Sequence, residues 1–492
     1  MEPAGASFDA LTRKELFMEE TIFEMMNAEA IATALGAKWN RIGTKFRRTL
    51  FDSRRASDGD LFFALKGERF DGHDFLDQVF EQGCRGVVVD RKRDIRTAMI
   101  VPDGTAIFEV DDVLTAFGCL AHEILGLRRN MGDFAVYAIT GSNGKTTTKE
   151  ILATLLEAKG KCVLKTEGNL NNYIGLPMNV VQLTPKHDVA VLEMGANAPG
   201  EIAHLRHIAP PDIAIITCVG AAHLGGFGSI EGVARAKGEL LEAPDLDKIV
   251  LPCATRSYYA DIANANKITW VGTSAEDSST YIDDIEADSE GIRFKYHGDG
   301  TMVHDIALPL LGAHNAMNLA LALTAVGGAW TDDEINSALL NVKLPSGRLE
   351  RWHTASGIVI LHDAYNANPL SMHEALRLVA TISKPQNRCL ILGEMRELGD
   401  TSDECHRTLG REAASGGFKK LVCIGPSAHC ISAGALAAGA SPSDIFCAPK
   451  DELQSAIDWL RPQLATGDIC LIKGSRGMEL ERALSMLAAE IG

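Results

Sequence analysis

Ten residues constrain this chain more than any others: Ala138-Ile139-Thr140-Gly141-Ser142-Asn143-Gly144-Lys145-Thr146-Thr147. The apolar run before them, residues 134–137, reads as a short buried strand. After them, residues 148–156 place isoleucine and leucines at helical spacing, with Gly160 as a cap. Strand, glycine loop, Gly-Lys-Thr and helix form the context that a phosphate-binding loop requires. Gly141 and Gly144 let backbone N–H groups turn toward an anion, and the helix N-terminus adds its positive dipole end. Lys145 is then expected to reach the outer phosphates, and the Thr146 hydroxyl to bind Mg²⁺. The loop is G-x-x-G-K-T, two residues shorter between its glycines than G-x-x-x-x-G-K-[ST]. An incidental glycine turn would need neither the flanking strand nor the helix.

A chain of 492 residues exceeds one core and predicts two to four domains. Its net charge of −17 argues against a nucleic-acid-binding surface. The basic clusters Arg91-Lys92-Arg93 and Arg128-Arg129 are short and read as solvated faces. Eleven cysteines are scattered without a Cys-x-x-Cys pair, which fits reduced thiols and a cytoplasmic location. The first twenty residues are acidic and lack an apolar core, so they read as a loose extension rather than a signal peptide. No apolar run reaches membrane-spanning length; residues 319–330 come nearest.

The strand pattern predicts an α/β protein of three domains. Residues 1–110 hold the extension and a small α+β domain, with short apolar strands broken by Gly-Asp turns. Ser53 and Arg54 stand there at a strand-to-loop change, suited to a diphosphate, although ordinary surface residues look the same. Residues 111–346 alternate strand candidates (136–140, 189–194, 213–219, 249–251, 268–271) with helical patterns, which predicts a mostly parallel sheet. Over 281–297 the period becomes two, as in appended antiparallel strands, and a helix follows over 315–326. Pro345-Ser346-Gly347 reads as a hinge. Residues 347–492 form a Rossmann-like α/β domain with strands at 358–362, 389–392, 421–424 and 469–472. Ser371-Met372-His373-Glu374 reads as the capping box of its first helix.

Ligands of parallel sheets collect at the carboxyl ends of strands. In the central domain one such end is the phosphate loop. Another carries Glu193, a carboxylate suited to Mg²⁺, and a third leads to His223 beside the loop. The loop at 168–175 offers Asn169, Asn171 and Asn172 as amide donors to an anionic intermediate, or is an ordinary Asn/Gly turn. Lys237 reads locally as a solvated helix lysine. Asn315 opens a helix where it can meet an adenine edge or act as a cap. Three polar loops, at 363–369, 392–399 and 473–477, line one edge of the third sheet, which is more than turn chemistry needs.

Together these segments resemble the Mur ligase superfamily, from about residue 50 to the end. The phosphate loop, Glu193, His223, Lys237, the Gly-x-His-Asn segment at 312–315 and Gly347-Arg348-Leu349-Glu350 carry the superfamily likeness. The Asn-rich loop, Asp363-Ala364-Tyr365-Asn366-Ala367-Asn368-Pro369 and Gly393-Glu394-Met395-Arg396-Glu397-Leu398-Gly399 resemble its D-alanyl-D-alanine-adding branch. A ligase adding the third amino acid is expected to carry Tyr-Ala-His at 365–367 and an acidic residue at Ala222. A folylpolyglutamate synthase shares the phosphate loop but not the Asp-Gly-His first domain. Ser142 departs from the Thr of many members.

The resemblance implies a UDP-muramoyl-tripeptide on the first domain, with Ser53 and Arg54 near the nucleotide. It implies ATP on Gly141, Ser142, Asn143, Gly144, Lys145, Thr146 and Thr147, with Asn315, and with Arg348 and Asp363 from the third domain. Mg²⁺ would be held by Thr146, Glu193, His223 and a carbamylated Lys237. Lys145, His223, Lys237 and Arg348 would serve catalysis. Asn171, Asn172, Tyr365, Asn366, Asn368, Lys473 and Ser475 would contact the peptide substrates, among them D-alanyl-D-alanine. The implied protein is a cytoplasmic monomer without nucleic acid or a membrane span. A P-loop kinase or ATPase, or a nucleotide-regulated binding protein that has lost catalysis, are the other classes this pattern admits.

Overall fold

Three sheets organise the computed structural model, which describes residues 20–67, 70–93, 95–298 and 302–488. The predicted extension lies almost wholly outside these residues. The first sheet joins β1 (Lys38–Trp39), β2 (Arg48–Leu50), β3 (Asp60–Phe63), β4 (Gly86–Asp90) and β5 (Ala106–Val110) in the order β1-β5-β4-β3-β2. Only β1 runs antiparallel, against β5; the other pairs are parallel.

The central sheet contains β6 (Ala135–Thr140), β7 (Val163–Lys165), β8 (Val189–Glu193), β9 (Ile213–Ile216), β10 (Lys248–Pro252), β11 (Ile268–Gly272), β12 (Thr280–Ala287), β13 (Ile292–His297) and β14 (Val303–Leu308). Their order is β14-β13-β12-β11-β10-β9-β6-β8-β7. β6 and β9 are parallel and buried on both faces, and their sequences are accordingly near-continuous apolar runs. β12, β13 and β14 pair antiparallel. In β13, Ile292, Phe294 and Tyr296 turn inward while Arg293 is exposed, the two-residue period read in the sequence.

The third sheet holds β15 (Glu350–His353), β16 (Val359–Asp363), β17 (Arg388–Gly393), β18 (Lys420–Ile424), β19 (Ile445–Ala448) and β20 (Ile469–Lys473), ordered β15-β16-β20-β17-β18-β19. Leu361, Leu471, Leu390 and Leu421 stand in register on one face, and Ile360, Cys470, Cys389 and Ile391 with Val422 fill the other. Helices cover both faces, which makes it the expected Rossmann-like layer. β7, β15 and β19 are short strands that the periodicity did not announce.

Three local expectations need correction. The helix Pro369–Ile382 is capped by Asn368, whose Oδ1 accepts the Ser371 N–H; Ser371 is its third residue, not its cap. The cause is Pro369, whose fixed φ and missing N–H suit the first turn of a helix. Arg128 is not solvated: it is buried, stacks on Phe134, and donates from Nε to the His187 carbonyl at 2.8 Å. The strand expected over 213–219 ends at Ile216, and the segment beyond it turns onto the phosphate loop.

The chain divides into two compact units. One runs through Ala135 and takes in Asn169–Ala190 and His207–Ala209; the other comprises Val136–Gly168, Val191–Arg206 and Pro210 onward. The second unit therefore contains both the phosphate loop and the third sheet. No described helix is long and apolar enough to cross a membrane.

Candidate active site

The phosphate loop follows β6 and opens the helix Lys145–Ala158, with Gly144 at the N-cap and φ +82°. Both glycines are obligatory. A Cβ on Gly141 would lie 1.9 Å from Thr217 Oγ1, and one on Gly144 would lie 2.5 Å from Asn318 Oδ1. The loop is knitted to the segment after β9. Ser142 N–H donates to the Cys218 carbonyl at 3.0 Å, and Ser142 Oγ donates to the Gly220 carbonyl at 3.0 Å. Asn143 N–H points at Cys218 Sγ at 3.3 Å, and Thr217 donates its hydroxyl to the Asn143 carbonyl. Thr146 and Thr147 are buried at the head of the helix.

Lys145 donates from Nζ to the Gly141 carbonyl at 2.7 Å. Burial lowers its pKa, and the Arg348 charge adds to this while Glu193 opposes it. Such a lysine gains by meeting an anion. Glu193, at the carboxyl end of β8, is 1 % exposed, and its backbone N–H donates to Thr166 Oγ1 at 2.9 Å. Met194 N–H donates to the Ile139 carbonyl at 2.8 Å, tying the end of β8 beside the loop.

His223 adopts a left-handed backbone, φ +52°. Its Nδ1 pairs with the Glu397 carboxylate of the third-sheet loop. Burial pushes its pKa below the usual imidazole value, with Glu397 opposing. Lys237 overturns its local reading as a solvated lysine. Only 2 % of it is exposed, and it has no carboxylate partner among the described residues. Burial first, then Lys145, push its ammonium down to about 7. At neutral pH much of it is a free amine.

The third sheet meets the loop directly. Asn143 and Asn368 exchange side-chain amide hydrogen bonds at 3.1 and 2.8 Å. Arg351 grips both carboxylate oxygens of Glu290, at 2.9 and 3.1 Å, joining β15 to the turn after β12. After the hinge, the backbone around Arg348 is pinned on both sides: Tyr365 N–H donates to the Gly347 carbonyl at 3.0 Å, and Leu349 N–H to Asp363 Oδ1 at 3.2 Å. The Arg348 guanidinium lies 4.2 Å from the Tyr365 ring centroid, and that of Arg476 5.3 Å. The buried Arg348 Nε–H has no hydrogen-bond partner among the described residues. Lys473 binds Asp363 Oδ2 at 2.6 Å and the Asn366 carbonyl at 3.2 Å. Ser475 accepts the Arg396 N–H at 3.1 Å and donates its own N–H to the Glu394 carbonyl at 3.0 Å. Leu311, Asn315, Leu344, Arg348 and Leu349 line one cleft. Asn315 itself donates to the Leu311 carbonyl at 2.8 Å and accepts from Asn318 at 2.7 Å.

The remaining predicted residues lie in the first unit. Ser53 is buried in a short 3₁₀ turn and donates to Gln78 at 3.0 Å. Arg54 is exposed and forked on Asp52 at 2.8 Å through both Nε and Nη2. Asn172 accepts the Gly175 N–H at 2.8 Å and the Ile174 N–H at 3.2 Å, so its oxygen acts as an Asx cap. Asn171 donates its backbone N–H to the Asn169 carbonyl at 2.8 Å.

Sequence reasoning missed Glu397, Asn318, Thr166 and Lys149. Lys149 and Asn318 sit one helical step from Lys145 and Asn315, at spacings that place them on the same faces. Nothing in the sequence announces that Glu397 meets His223.

Models of the Mur ligase family match along the chain: its catalytic domain over residues 48–135, its middle domain over 139–326 and its glutamate ligase domain over 347–476. The UDP-N-acetylmuramoyl-tripeptide–D-alanyl-D-alanine ligase of Escherichia coli (strain K12) is 36% identical over 440 residues, 89% of this chain and 92% of that one. A crystal structure of MurF from Acinetobacter baumannii superposes with a TM-score of 0.80 at 30% identity, covering 94% of this chain and 98% of that chain. MurF ligase from Thermotoga maritima in complex with ADP gives 0.77 at 27% identity, over 90% and 97% of the two chains. With the phosphate loop, the third sheet docked on it and this likeness along nearly the whole length, the chain belongs to the Mur ligase family.

Proposed function

We propose that this protein is an ATP-dependent, ADP-forming ligase that joins D-alanyl-D-alanine to UDP-N-acetylmuramoyl-tripeptide in peptidoglycan precursor synthesis. The observation that carries the reading is the meeting of third-sheet loops with the phosphate-loop side of the site within one unit: Asn368 bonds Asn143 of the loop, Glu397 pairs with His223, and the Arg348 charge acts on Lys145. A plain ATPase needs no such second layer, whereas a ligase must bring an acceptor to an activated acid.

The reading gives three domains, over 1–110, 111–346 and 347–492, for the UDP-peptide, for ATP, and for the dipeptide with closure over ATP. The loop N–H groups, Lys145, Thr146 and Thr147 bind the phosphates, and Asn315 and the Leu311–Leu349 cleft take the adenine. The tripeptide carboxylate attacks the γ-phosphorus, ADP leaves, and an acyl phosphate forms. The dipeptide amine then adds to the acyl carbon, loses a proton and expels phosphate. Lys145 and Arg348 neutralise charge in the first step, where positioning and electrostatics carry catalysis. Asp363 orders Arg348 through Leu349 and orients Lys473. Tyr365, Asn366, Asn368, Lys473 and Ser475 shape the dipeptide site. Ser53, Arg54, Asn171 and Asn172 serve the UDP-peptide.

The donor set fits Mg²⁺ held together with phosphate oxygens. Among the described residues no three His, Cys, Asp or Glu side chains converge on one point, and Mg²⁺ commonly takes only one or two protein carboxylates plus phosphate and water. Thr146, Glu193, His223 and Lys237 would hold it, and when bound it would supply neutralising charge on the phosphates. A carbamate on Lys237, formed by addition of its neutral amine to CO₂ with release of a proton, would turn a misplaced cation into an oxygen ligand. The buried, carboxylate-free amine supports that reading. A cytoplasmic monomer acting on small molecules completes it.

Phosphate release tests the function. It should require ATP, the tripeptide nucleotide and D-alanyl-D-alanine together, with the UDP-pentapeptide as product. Steady release from ATP alone, without ligation, would overturn it.

A further inference from the structure

Beneath the phosphate loop lies a cation for which the reaction above has no use. Lys149 follows Lys145 by one turn on the same helix, and its side chain is 1 % exposed. Its Nζ donates to the Thr166 carbonyl at 2.8 Å. It stands 2.8 Å from Glu150 Oε1 and 3.5 Å from Glu193 Oε1. The other oxygen of Glu150 is held by Lys165 at 2.5 Å. Thr166 closes the ring, because its hydroxyl accepts the Glu193 N–H at 2.9 Å.

Two lysines thus face two carboxylates, and the cluster carries no net charge. Three of the four charges are buried, Lys165 being partly exposed, and burying charges is a poor route to stability, since an apolar replacement often does as well. The arrangement is better suited to fixing direction. Glu150 is the nearer partner and takes most of the Lys149 charge; Glu193 Oε1, at 3.5 Å, is held by charge rather than by an N–H bond. We propose that Lys149 is a positioning residue for Glu193. Its charge attracts Oε1 and so biases how the carboxylate is turned toward the metal. Thr166 fixes the backbone of the same residue. The proposal rests on the assignment of Glu193 to Mg²⁺ in the reading above.

Removing the partner that orients a metal ligand typically weakens metal binding by about 10–100-fold. The test uses Mn²⁺ as the probe, with binding to the full-length protein and ADP followed by electron paramagnetic resonance. Two variants are compared with wild type: the charge-balanced double change Lys149→Met with Glu150→Gln, and Lys149→Gln, which keeps a donor for Thr166. Expected is Mn²⁺ binding weakened by about tenfold or more, with metal-free ADP affinity unchanged and Lys149→Arg partly restored. A variant that melts like wild type and binds Mn²⁺ as tightly would overturn the role. So would failure of both variants to fold, which would mark Lys149 as a structural ion alone. Glu193→Gln separates the layers. If it too binds Mn²⁺ normally, the metal assignment itself falls; if it loses Mn²⁺ while the Lys149 variants keep it, only the positioning role falls.

Discussion

Lys237 is a buried amine in a site built for anions, and its environment sets a sign that a denaturation experiment can read. The folded pKa is about 7 against 10.5 for an ordinary lysine. Between those values the unfolded chain binds a proton that the folded protein releases. Lysine 237 therefore makes stability rise with pH across that window and imposes its full cost below pH 7. Lys237→Met removes the cost while keeping the volume. In CO₂-depleted buffer it should stabilise the protein by about 5 kcal/mol at pH 6, with the gain fading toward pH 10. Urea unfolding at both pH values checks this. An equal effect at the two would mean that Lys237 is solvated after all.

At the scale of elements, the helix Pro369–Ile382 and the phosphate loop share one residue. Asn368 caps the helix through Oδ1 and exchanges amide bonds with Asn143. Two substitutions separate these roles. Asn368→Ala removes both and should cost about 1 kcal/mol from the cap alone. Asn368→Asp keeps the cap but replaces the donor to Asn143 with a second acceptor. Its stability should stay within about 0.5 kcal/mol of wild type, while the KM for ATP rises. Thermal melts and steady-state kinetics read the two effects. Equal losses of stability in both variants would assign the residue to the interdomain amide pair rather than to the cap.

At the scale of the whole molecule, every residue assigned to ATP lies in the second unit. Nucleotide at a hundred times its Kd stabilises the state that binds it by about 2.7 kcal/mol. Hydrogen exchange with MgATP alone should slow in the helix Lys145–Ala158, in β9 and β16, and at the Asn368 cap. The sheet of β1 to β5 should exchange as before. Uniform protection of both units would place nucleotide contacts outside the proposed residues.

The periodicities by themselves determined most of this fold. Strands buried on both faces must be apolar throughout, so β6, β9, β17 and β20 were legible, and β13 was legible through its two-residue alternation. The phosphate loop was legible because two glycines, a lysine and a threonine have one joint use at the head of a helix. Glu193 was expected at the end of a strand and stands at the end of β8, while His223 lies past the end of β9, at the head of the short helix Leu224–Phe227. What tertiary structure alone decided are the pairings across long stretches of chain. Lys237 has the local sequence of a solvated helix residue, and only the packing of other segments over it makes it a near-neutral amine. Glu397 meets His223, Asn368 meets Asn143, and Lys149 meets Glu193 because separate strands and helices bring them together. Burial and ion pairing are properties of what surrounds a side chain, and those surroundings come from residues that no local window contains.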